Sequence, residues 1–362
     1  MTRQRQLHPW AWWGWALLIA AATSLTTNPL VLILVAAAVT VVALTCRGDS
    51  VWARGLWAYY VLAGVVLVFR VLIFVVFGTS SPTATVLFTL PRFELPSWMA
   101  GIGLGGPVAA EPLLAAAYSA LQLAVMIICV GAANALANPR RALRSVPSAL
   151  YEVSVVIVVG MTMAPQLVIS AVRVRRARRL RGHTTTASIM LPVLEDAIDR
   201  SLGLAAGMES RGFGSTRRAR GRRWSTVLML FGSAALTVGG YLLLAHGDVF
   251  AAQVHPLAPW TLLAGVLAVV AGLWASGRQL RITRYRPDPW RWPEWAVVAC
   301  GLVTLTLMIW QLRTDPAALR PVTTPLAWPP LPTLILPGVL AAALPMLVDP
   351  RGRAPRPVVV AR

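Results

Sequence analysis

The chain has 362 residues, of which 57% are hydrophobic and only 13% are charged. Soluble proteins carry about 25% charged residues, so the composition excludes a soluble protein and predicts an all-α polytopic membrane helix bundle. The 33 basic residues outnumber the 13 acidic ones, and all 33 are arginine. Because lysine is absent, the chain lacks the lysine of a phosphate-binding loop and any lysine for Schiff-base catalysis.

Eight apolar segments are long enough, or nearly so, to cross a membrane as helices of about 20 residues. In chain order they are 10–24, 28–46, 57–77, 113–134, 225–245, 258–276, 294–312 and 331–347. The first and the last are short and contain proline or glycine. The N-terminus has no clear signal-peptide cleavage site before a soluble domain, so we expect 10–24 to be a retained first span.

The arginines orient these spans. With a cytoplasmic N-terminus, 29 of the 33 arginines fall in cytoplasmic segments; Arg92, Arg313 and Arg320 fall outside, and Arg70 lies within a span. Such a bias is typical of the cytoplasmic side of membrane proteins. The sequence therefore predicts a multi-pass protein of the cell (plasma) membrane, with its N-terminus in the cytoplasm.

A ninth apolar run, 150–172, has arginines on both sides. Three lie between residues 140 and 144, and six lie between 173 and 181. If the run crossed the membrane, one of these groups would lie outside. We therefore expect 150–172 to form part of a helix against the inner membrane face; a re-entrant pair of half-spans kinked at Pro165 is the alternative.

Residues 138–224 are predicted to form a cytoplasmic helical module between the fourth and fifth spans. A long helix is expected from about Ala149 to Leu180, and another from about Ala187 to Ser210. Apolar residues on the second helix recur at spacings of three and four, at Leu191, Leu194, Ile198, Leu202, Ala205 and Met208. The acidic residues Glu195, Asp199 and Glu209 are hypothesised to pair with arginines of the preceding helix.

Both predicted helices end in an arginine followed by a glycine, at Arg181-Gly182 and at Arg211-Gly212. Glycine just past the last turn commonly ends a helix. An arginine there directs its guanidinium off the end of a rigid helix, where it can donate several hydrogen bonds to carboxylates or carbonyls of a partner. Two such ends could engage two partners. The alternatives are stabilisation by the helix dipole and binding of anionic lipid.

The end of the second helix carries a longer motif around its arginine and glycine. Its residues are Met208-Glu209-Ser210-Arg211-Gly212-Phe213-Gly214. They resemble the second of two Ala-Arg-Gly signatures in the transmembrane T component of energy-coupling factor (ECF) transporters, with Ser210 in place of alanine. The first signature corresponds to Leu180-Arg181-Gly182, with leucine in place of alanine. Asn28-Pro29-Leu30, Asn138-Pro139 and Pro165 add to a resemblance that covers roughly residues 28–224.

This resemblance implies a function. T components are not enzymes and bind no cofactor; they transmit the movements of two ATP-binding-cassette (ABC) ATPase subunits to a membrane S component that binds a vitamin or a metal ion. The family's docking residues would correspond here to Arg181, Gly182, Ser210, Arg211 and Gly212. The absence of lysine agrees with a nucleotide site on another chain.

The remaining candidate residues give weaker indications of function. Arg70 is a charge within a predicted span, which suggests either a structural partner, such as Gln122 or Glu111, or a role at the S-component interface. The three cysteines and four histidines are scattered, so no metal site is expected. Nucleic-acid binding is not expected either, because the basic run at 217–223 adjoins a membrane span.

Two other functions stay open. A membrane-embedded enzyme acting on a lipid or glycan at the cytoplasmic face would need converging acidic or histidine residues, and a stand-alone secondary carrier would need binding features at mid-membrane. The predicted organisation is 1–137 for spans one to four, 138–224 for the coupling helices, 225–350 for the last spans and 351–362 for a basic cytoplasmic tail.

Overall fold

The computed structural model describes most of the chain, with gaps. The described residues are 7–47, 55–77, 85–91, 93–94, 103–137, 141–142, 145, 151–180, 186–212, 222–245, 257–279, 290–323 and 327–348. They belong to two compact units. Unit 1 comprises Met1–Ala142 and Asp288–Arg362, and unit 2 comprises Leu143–Pro287. Unit 2 thus joins part of the predicted coupling region with two of the later apolar helices, and the four predicted segments stay a prediction.

Unit 1 is built from helices with one strand ribbon. Its elements are α1 (Pro9–Ser24), α2 (Pro29–Cys46), α3 (Leu56–Phe77), β1 (Val86–Thr89), β2 (Phe93–Glu94), β3 (Gly103–Leu104), β4 (Pro107–Ala109) and α4 (Ala110–Leu136). Unit 2 contributes α5 (Tyr151–Leu180), α6 (Thr186–Glu209), α7 (Arg222–Ala245) and α8 (Ala258–Gln279). Unit 1 then resumes with α9 (Trp292–Thr314), α10 (Pro316–Leu319), a 3₁₀ turn (Thr333–Ile335), α11 (Leu336–Ala343) and α12 (Pro345–Val348).

Seven of the described helices are long and apolar enough to cross a membrane. Six of them, α2, α3, α4, α7, α8 and α9, coincide with predicted spans. The seventh lies within α5, at Val153–Leu180. The two short predicted spans correspond to the 16-residue α1 and to the broken run from Thr333 to Val348. The all-α polytopic bundle is therefore confirmed, whereas the prediction that 150–172 does not cross stays a prediction.

The short helix α1 lies at the centre of unit 1. Trp12, Trp15 and Ile19 are buried, and α1 packs against both α4 and α9. A Cβ atom at Gly301 on α9 would lie 3.1 Å from the Trp15 carbonyl oxygen, so the two helices approach closely there. The Trp15 indole N–H donates a hydrogen bond of 3.2 Å to the Ala342 carbonyl of α11. The 16-residue helix is thus held by its packing.

The turn between α1 and α2 is fastened to the C-terminal part of unit 1. The Asn28 amide donates to the carbonyls of Ala318 (2.8 Å) and Pro330 (2.6 Å), and its side-chain oxygen accepts from Leu30 N–H at the start of α2. The Thr26 hydroxyl donates to the Leu319 carbonyl at 2.9 Å. Because Thr26 and Asn28 are fully buried, these bonds join the α1–α2 turn to residues 318–330 inside one core.

A short antiparallel strand ribbon, made of two strand pairs, lies between α3 and α4, and the sequence pattern did not predict it. In this ribbon β1 pairs with β4 and β2 pairs with β3. Gly105 has φ +81° and lies against the Pro91 carbonyl, where a Cβ atom would collide. The Glu111 carboxylate accepts two hydrogen bonds from Thr85 N–H, at 3.0 and 3.1 Å, and fastens the ribbon to the first turn of α4.

Within unit 2, α7 and α8 pack closely through glycines. A Cβ atom at Gly232 would lie 2.8 Å from the backbone nitrogen of Val269, and one at Gly265 would lie 2.9 Å from that of Leu236. Small residues that let helix backbones approach are typical of membrane helix pairs. The two helices therefore form a tight pair with apolar outer faces.

Candidate coupling helices and the Arg211 tip

The two long helices predicted for the coupling region are present. Helix α5 ends at Leu180, where its end was predicted, and α6 runs from Thr186 to Glu209, within a residue of the predicted bounds. Pro165 lies inside α5. Two cross-helix contacts give the direction of the pair: Ser170 on α5 contacts Asp196 on α6, and Gln166, four residues earlier on α5, contacts Arg200, four residues later on α6. The helices are therefore antiparallel.

A polar cluster joins α5 to α6. The Ser170 hydroxyl donates to the Asp196 carboxylate at 2.6 Å, the Arg200 Nε donates to the same carboxylate at 3.1 Å, and an Arg200 terminal nitrogen donates to Gln166 Oε1 at 3.4 Å. The hydrogen bond from Ser170 lowers the pKa of Asp196, and Arg200 and the charge of Arg173 lower it further. The carboxylate is thus held in its charged form.

Sequence reasoning missed this cluster. It proposed that Glu195, Asp199 and Glu209 pair with the preceding helix, whereas the carboxylate that contacts α5 is Asp196. A signal was available: each helix carries two polar residues four positions apart, Gln166 and Ser170 on one and Asp196 and Arg200 on the other. Such a spacing places both on one helix face.

The C-terminal end of α6 has a defined geometry. Gly212 has φ +76°, a left-handed conformation that favours glycine. Its N–H donates to the Glu209 carbonyl at 2.8 Å, and Arg211 N–H donates to the Met208 carbonyl at 3.1 Å, so the helix closes in a tight turn. The Ser210 hydroxyl donates to the Gly207 carbonyl at 3.0 Å. Arg211 and Gly212 are exposed. The predicted helix stop at Gly212 is confirmed, and the guanidinium of Arg211 belongs to an exposed helix end.

The other predicted docking residues, Arg181 and Gly182, lie outside the described residues. The residue before them, Leu180, ends α5 and is 85% exposed. Because the pair is antiparallel, the two helix ends lie at opposite ends of it. From the Ser170–Asp196 contact, Leu180 lies 10 residues one way and Glu209 lies 13 residues the other way, which is about 35 Å in total at the helical rise.

The outer surface of the α5–α6 pair is apolar over much of its length. On α6 the predicted apolar face points away from α5: Leu191, Leu194, Ile198 and Leu202 of that face, and the neighbouring Met190, are each between 48% and 65% exposed. On α5 the side chains of Val156, Val168, Ile169 and Val172 are each more than half exposed. The pair thus exposes a row of large apolar side chains on the side of α6 that faces away from α5.

Arginines gather at the end of α5. Arg173, Arg175, Arg176 and Arg179 are exposed, and Arg178 is partly exposed. By helical periodicity they surround the helix. The last two turns of α5 therefore carry a basic collar directly after an apolar run.

Arg70 does not take the structural partners that the sequence suggested. The Gln122 amide donates to the carbonyls of Ser24 (2.8 Å) and Thr23 (3.2 Å), where α1 ends. Glu111 accepts from Thr85, as described above. Arg70 itself is exposed on α3. The pairing of Arg70 with Gln122 or Glu111 was wrong, because Gln122 bonds the end of α1 and Glu111 bonds Thr85 instead, and the interface role stays a prediction.

Other chemistry is sparse in the described part of the chain. Within it, no group of three histidine, cysteine or acidic side chains is placed to hold a metal ion. Cys46 and Cys129 are buried and Cys300 is half-buried. The arrangement that stands out is thus the antiparallel helix pair with an exposed arginine end. No protein-family model matches the chain, and no curated protein matches it.

Proposed function

We propose that this protein is the transmembrane energy-coupling subunit of an ECF-type ABC importer. In this role it holds no nucleotide itself; two ABC-type ATPase subunits bind its coupling helices, and their movement acts on a membrane S component that carries a vitamin or a metal ion. The protein lies in the cell membrane. Its coupling helices and its N-terminus face the cytoplasm, and anionic lipid binds the arginines on that side.

The observation that carries the proposal is the exposed Arg211 at the end of α6. Gly212, directly after it, has a left-handed backbone conformation, and both residues are exposed, so the guanidinium is accessible to a partner. A planar guanidinium forms paired hydrogen bonds with carboxylates or carbonyls lining a groove. The same residues carry the resemblance to the second signature of T components.

The antiparallel helix pair supports two docking points. The ends of α5 and α6 lie about 35 Å apart along the pair, which separates two attachment points widely enough for two ATPase subunits. Arg181-Gly182 follows the exposed Leu180 in the sequence and supplies the second point in the proposal.

The polar cluster supports a lever. Asp196 is bonded to Ser170 on α5 and to Arg200 on its own helix, and Arg200 reaches Gln166 on α5. A force applied at Arg211 therefore reaches α5 through hydrogen bonds as well as through packing. Since α5 contains the candidate membrane span Val153–Leu180, a movement of the tip is transferred to a helix suited to lipid.

Co-purification tests the proposal. The full chain is co-expressed with the ABC ATPase subunits of its own genome, and the recovered proteins are identified by mass spectrometry. The proposal expects two such subunits with the unmodified chain, a large loss with Arg211→Glu, and retention with Arg313→Glu, which reverses an exposed arginine on α9, outside the coupling helices. Recovery that is the same for all three chains would contradict it.

A further inference from the structure

The α5–α6 pair carries a wide apolar surface on its outside. Ser170 is buried at the contact between the helices, where it bonds Asp196, while Asp196 and Arg200 are partly exposed and Gln166 is exposed at the edge of the contact. The side chains of Leu191, Leu194 and Leu202 on α6 lie on the outside. Apolar side chains gain free energy when they leave water, so this surface is stabilised by apolar surroundings.

The apolar surface of α6 is continuous with that of a helix suited to a membrane. Leu194, Ile198 and Leu202 lie within two turns of the Asp196–Ser170 contact, and Leu167, Val168 and Ile169 lie beside it on α5. The latter three belong to the apolar part, 153–172, of the candidate membrane span Val153–Leu180. The two helices therefore share a continuous apolar exterior at this level.

The charged residues of the helix pair indicate how this apolar surface is oriented relative to a membrane. The basic collar, Arg173 to Arg179, follows the apolar run of α5 directly. Arginines beside an apolar helix bind the phosphates of anionic headgroups, at about 1 kcal/mol per residue near the surface. On α6, the acidic Glu195 and Asp199 lie together on one flank of the apolar face and are exposed, so that flank faces water.

We infer that the outer face of α6, formed by Met190, Leu191, Leu194, Ile198 and Leu202, is a lipid-binding surface buried in the acyl-chain region of the cytoplasmic leaflet. The occupant is the bilayer, with anionic headgroups at the arginine collar of α5. The helix lies in the interface with its apolar face in lipid, as amphipathic membrane-surface helices do. This inference does not rest on ATPase coupling and concerns the chain alone in its membrane.

Site-specific quenching tests the lipid contact. Cys46, Cys129 and Cys300 are replaced by alanine, and single cysteines are introduced as Leu194→Cys, Leu202→Cys or Asp199→Cys. Each is labelled with a small environment-sensitive fluorophore. The full chain is reconstituted at one copy per nanodisc in phosphatidylcholine with phosphatidylglycerol, without any ATPase. Quenching is measured with lipids brominated in their acyl chains and, separately, with iodide in the water.

The lipid surface predicts opposite patterns at neighbouring positions. Labels at 194 and 202 are quenched by brominated lipid several-fold more strongly than the label at 199, and the label at 199 is quenched several-fold more strongly by iodide. Strong iodide quenching at 194 and 202 would overturn the inference. Protection of these positions from both quenchers would also overturn it, because it would mean that protein covers the face.

A second measurement tests the contact between the arginine collar and the lipid headgroups. In the same discs, Arg175→Glu with Arg179→Glu reduces brominated-lipid quenching at 194 when phosphatidylglycerol is present, and has a smaller effect in phosphatidylcholine alone. An equal effect in both lipids would contradict the headgroup contact. Circular dichroism of each labelled chain verifies that helicity is retained, so a loss of fold is distinguished from a loss of lipid contact.

Discussion

Ser170 on α5 and Asp196 on α6 lie 2.6 Å apart, hydroxyl to carboxylate, and this hydrogen bond fixes which residues of the two helices face each other. Four residues away on each helix, Gln166 and Arg200 form a second contact. Because polar residues are costly to leave unpaired in apolar surroundings, the two contacts favour a single register. The position of Arg211 relative to α5 follows from that register.

Replacing Asp196 is expected to loosen the helix pair. Asp196→Ala removes the acceptor shared by Ser170 and Arg200, whereas Asp199→Ala removes an exposed carboxylate on the flank of the same helix. We predict that backbone amides of α6 exchange with deuterium several-fold faster in Asp196→Ala than in Asp199→Ala. Equal exchange in the two variants would show that the cluster does not hold the pair.

The same cluster predicts a pH dependence in the acid range. Hydrogen bonds from Ser170 and Arg200 lower the pKa of Asp196. A lowered pKa in the folded protein contributes stability that is present above the ordinary value of about 3.9 and is lost as the pH falls through the lower folded value. Exchange in α6, corrected for the intrinsic pH dependence of amide exchange, should therefore rise at acid pH in the unmodified chain, and Asp196→Asn should remove that part of the rise.

The turn after Arg211 should require a left-handed residue. Gly212→Val places a β-branched side chain at φ +76°, which costs about 1–2 kcal/mol, so we expect the turn to open and ATPase binding to weaken. Gly212→Asn should restore much of the binding, because asparagine tolerates this conformation. Gly207→Ala is the matched control: no heavy atom lies within 4 Å of a Cβ there, and helix stability should rise. Binding is measured by co-purification.

The packing of α7 on α8 should be sensitive to the side-chain volume at the glycines in their contact. A Cβ at Gly265 would lie 2.9 Å from the backbone nitrogen of Leu236, so Gly265→Leu forces the helices apart and costs about 1–3 kcal/mol or more. Gly240→Ala, on α7, adds a Cβ with no heavy atom within 4 Å. Unfolding in mixed detergent micelles should separate the two variants, and equal midpoints would contradict the close packing.

The Asn28 network predicts that the C-terminal helices are part of the scaffold. Asn28→Ala loses the bonds to Ala318 and Pro330 and the cap of α2, which together amount to about 3 kcal/mol. Ser24→Ala, in which an exposed hydroxyl is lost, should cost less than about 0.5 kcal/mol. The free energy of unfolding of the full chain checks this difference.

Much of the fold could be predicted because lipid imposes a simple rule on the sequence. Apolar runs of about 20 residues give the positions of α2, α3, α4, α7, α8 and α9, and glycine after an amphipathic run gives the end of α6. The strand ribbon between α3 and α4 could not be found in this way. Its strands have two to four residues, and its apolar Val86, Leu87 and Phe88 carry no alternation of polar and apolar residues.

The candidate site was predicted in part for a similar reason. The end of α6 depends on local sequence, so Ser210, Arg211 and Gly212 were identifiable. The partners of Asp196 and Gln122 depend on which helices meet, and periodicity within one helix does not contain that information. The apolar face of α6 was predicted from its spacing, but that it points away from α5 follows only from the cross-helix contacts.

The binding affinity of the Arg211 tip tests the central claim most directly. The full chain in nanodiscs is titrated with the purified ABC ATPase subunits, as the unmodified protein, as Arg211→Glu and as Arg313→Glu, which reverses an exposed arginine outside the coupling helices. Coupling through the tip predicts at least a tenfold rise in Kd for Arg211→Glu, about 1.4 kcal/mol, and little change for Arg313→Glu. An unchanged Kd for Arg211→Glu would contradict the account.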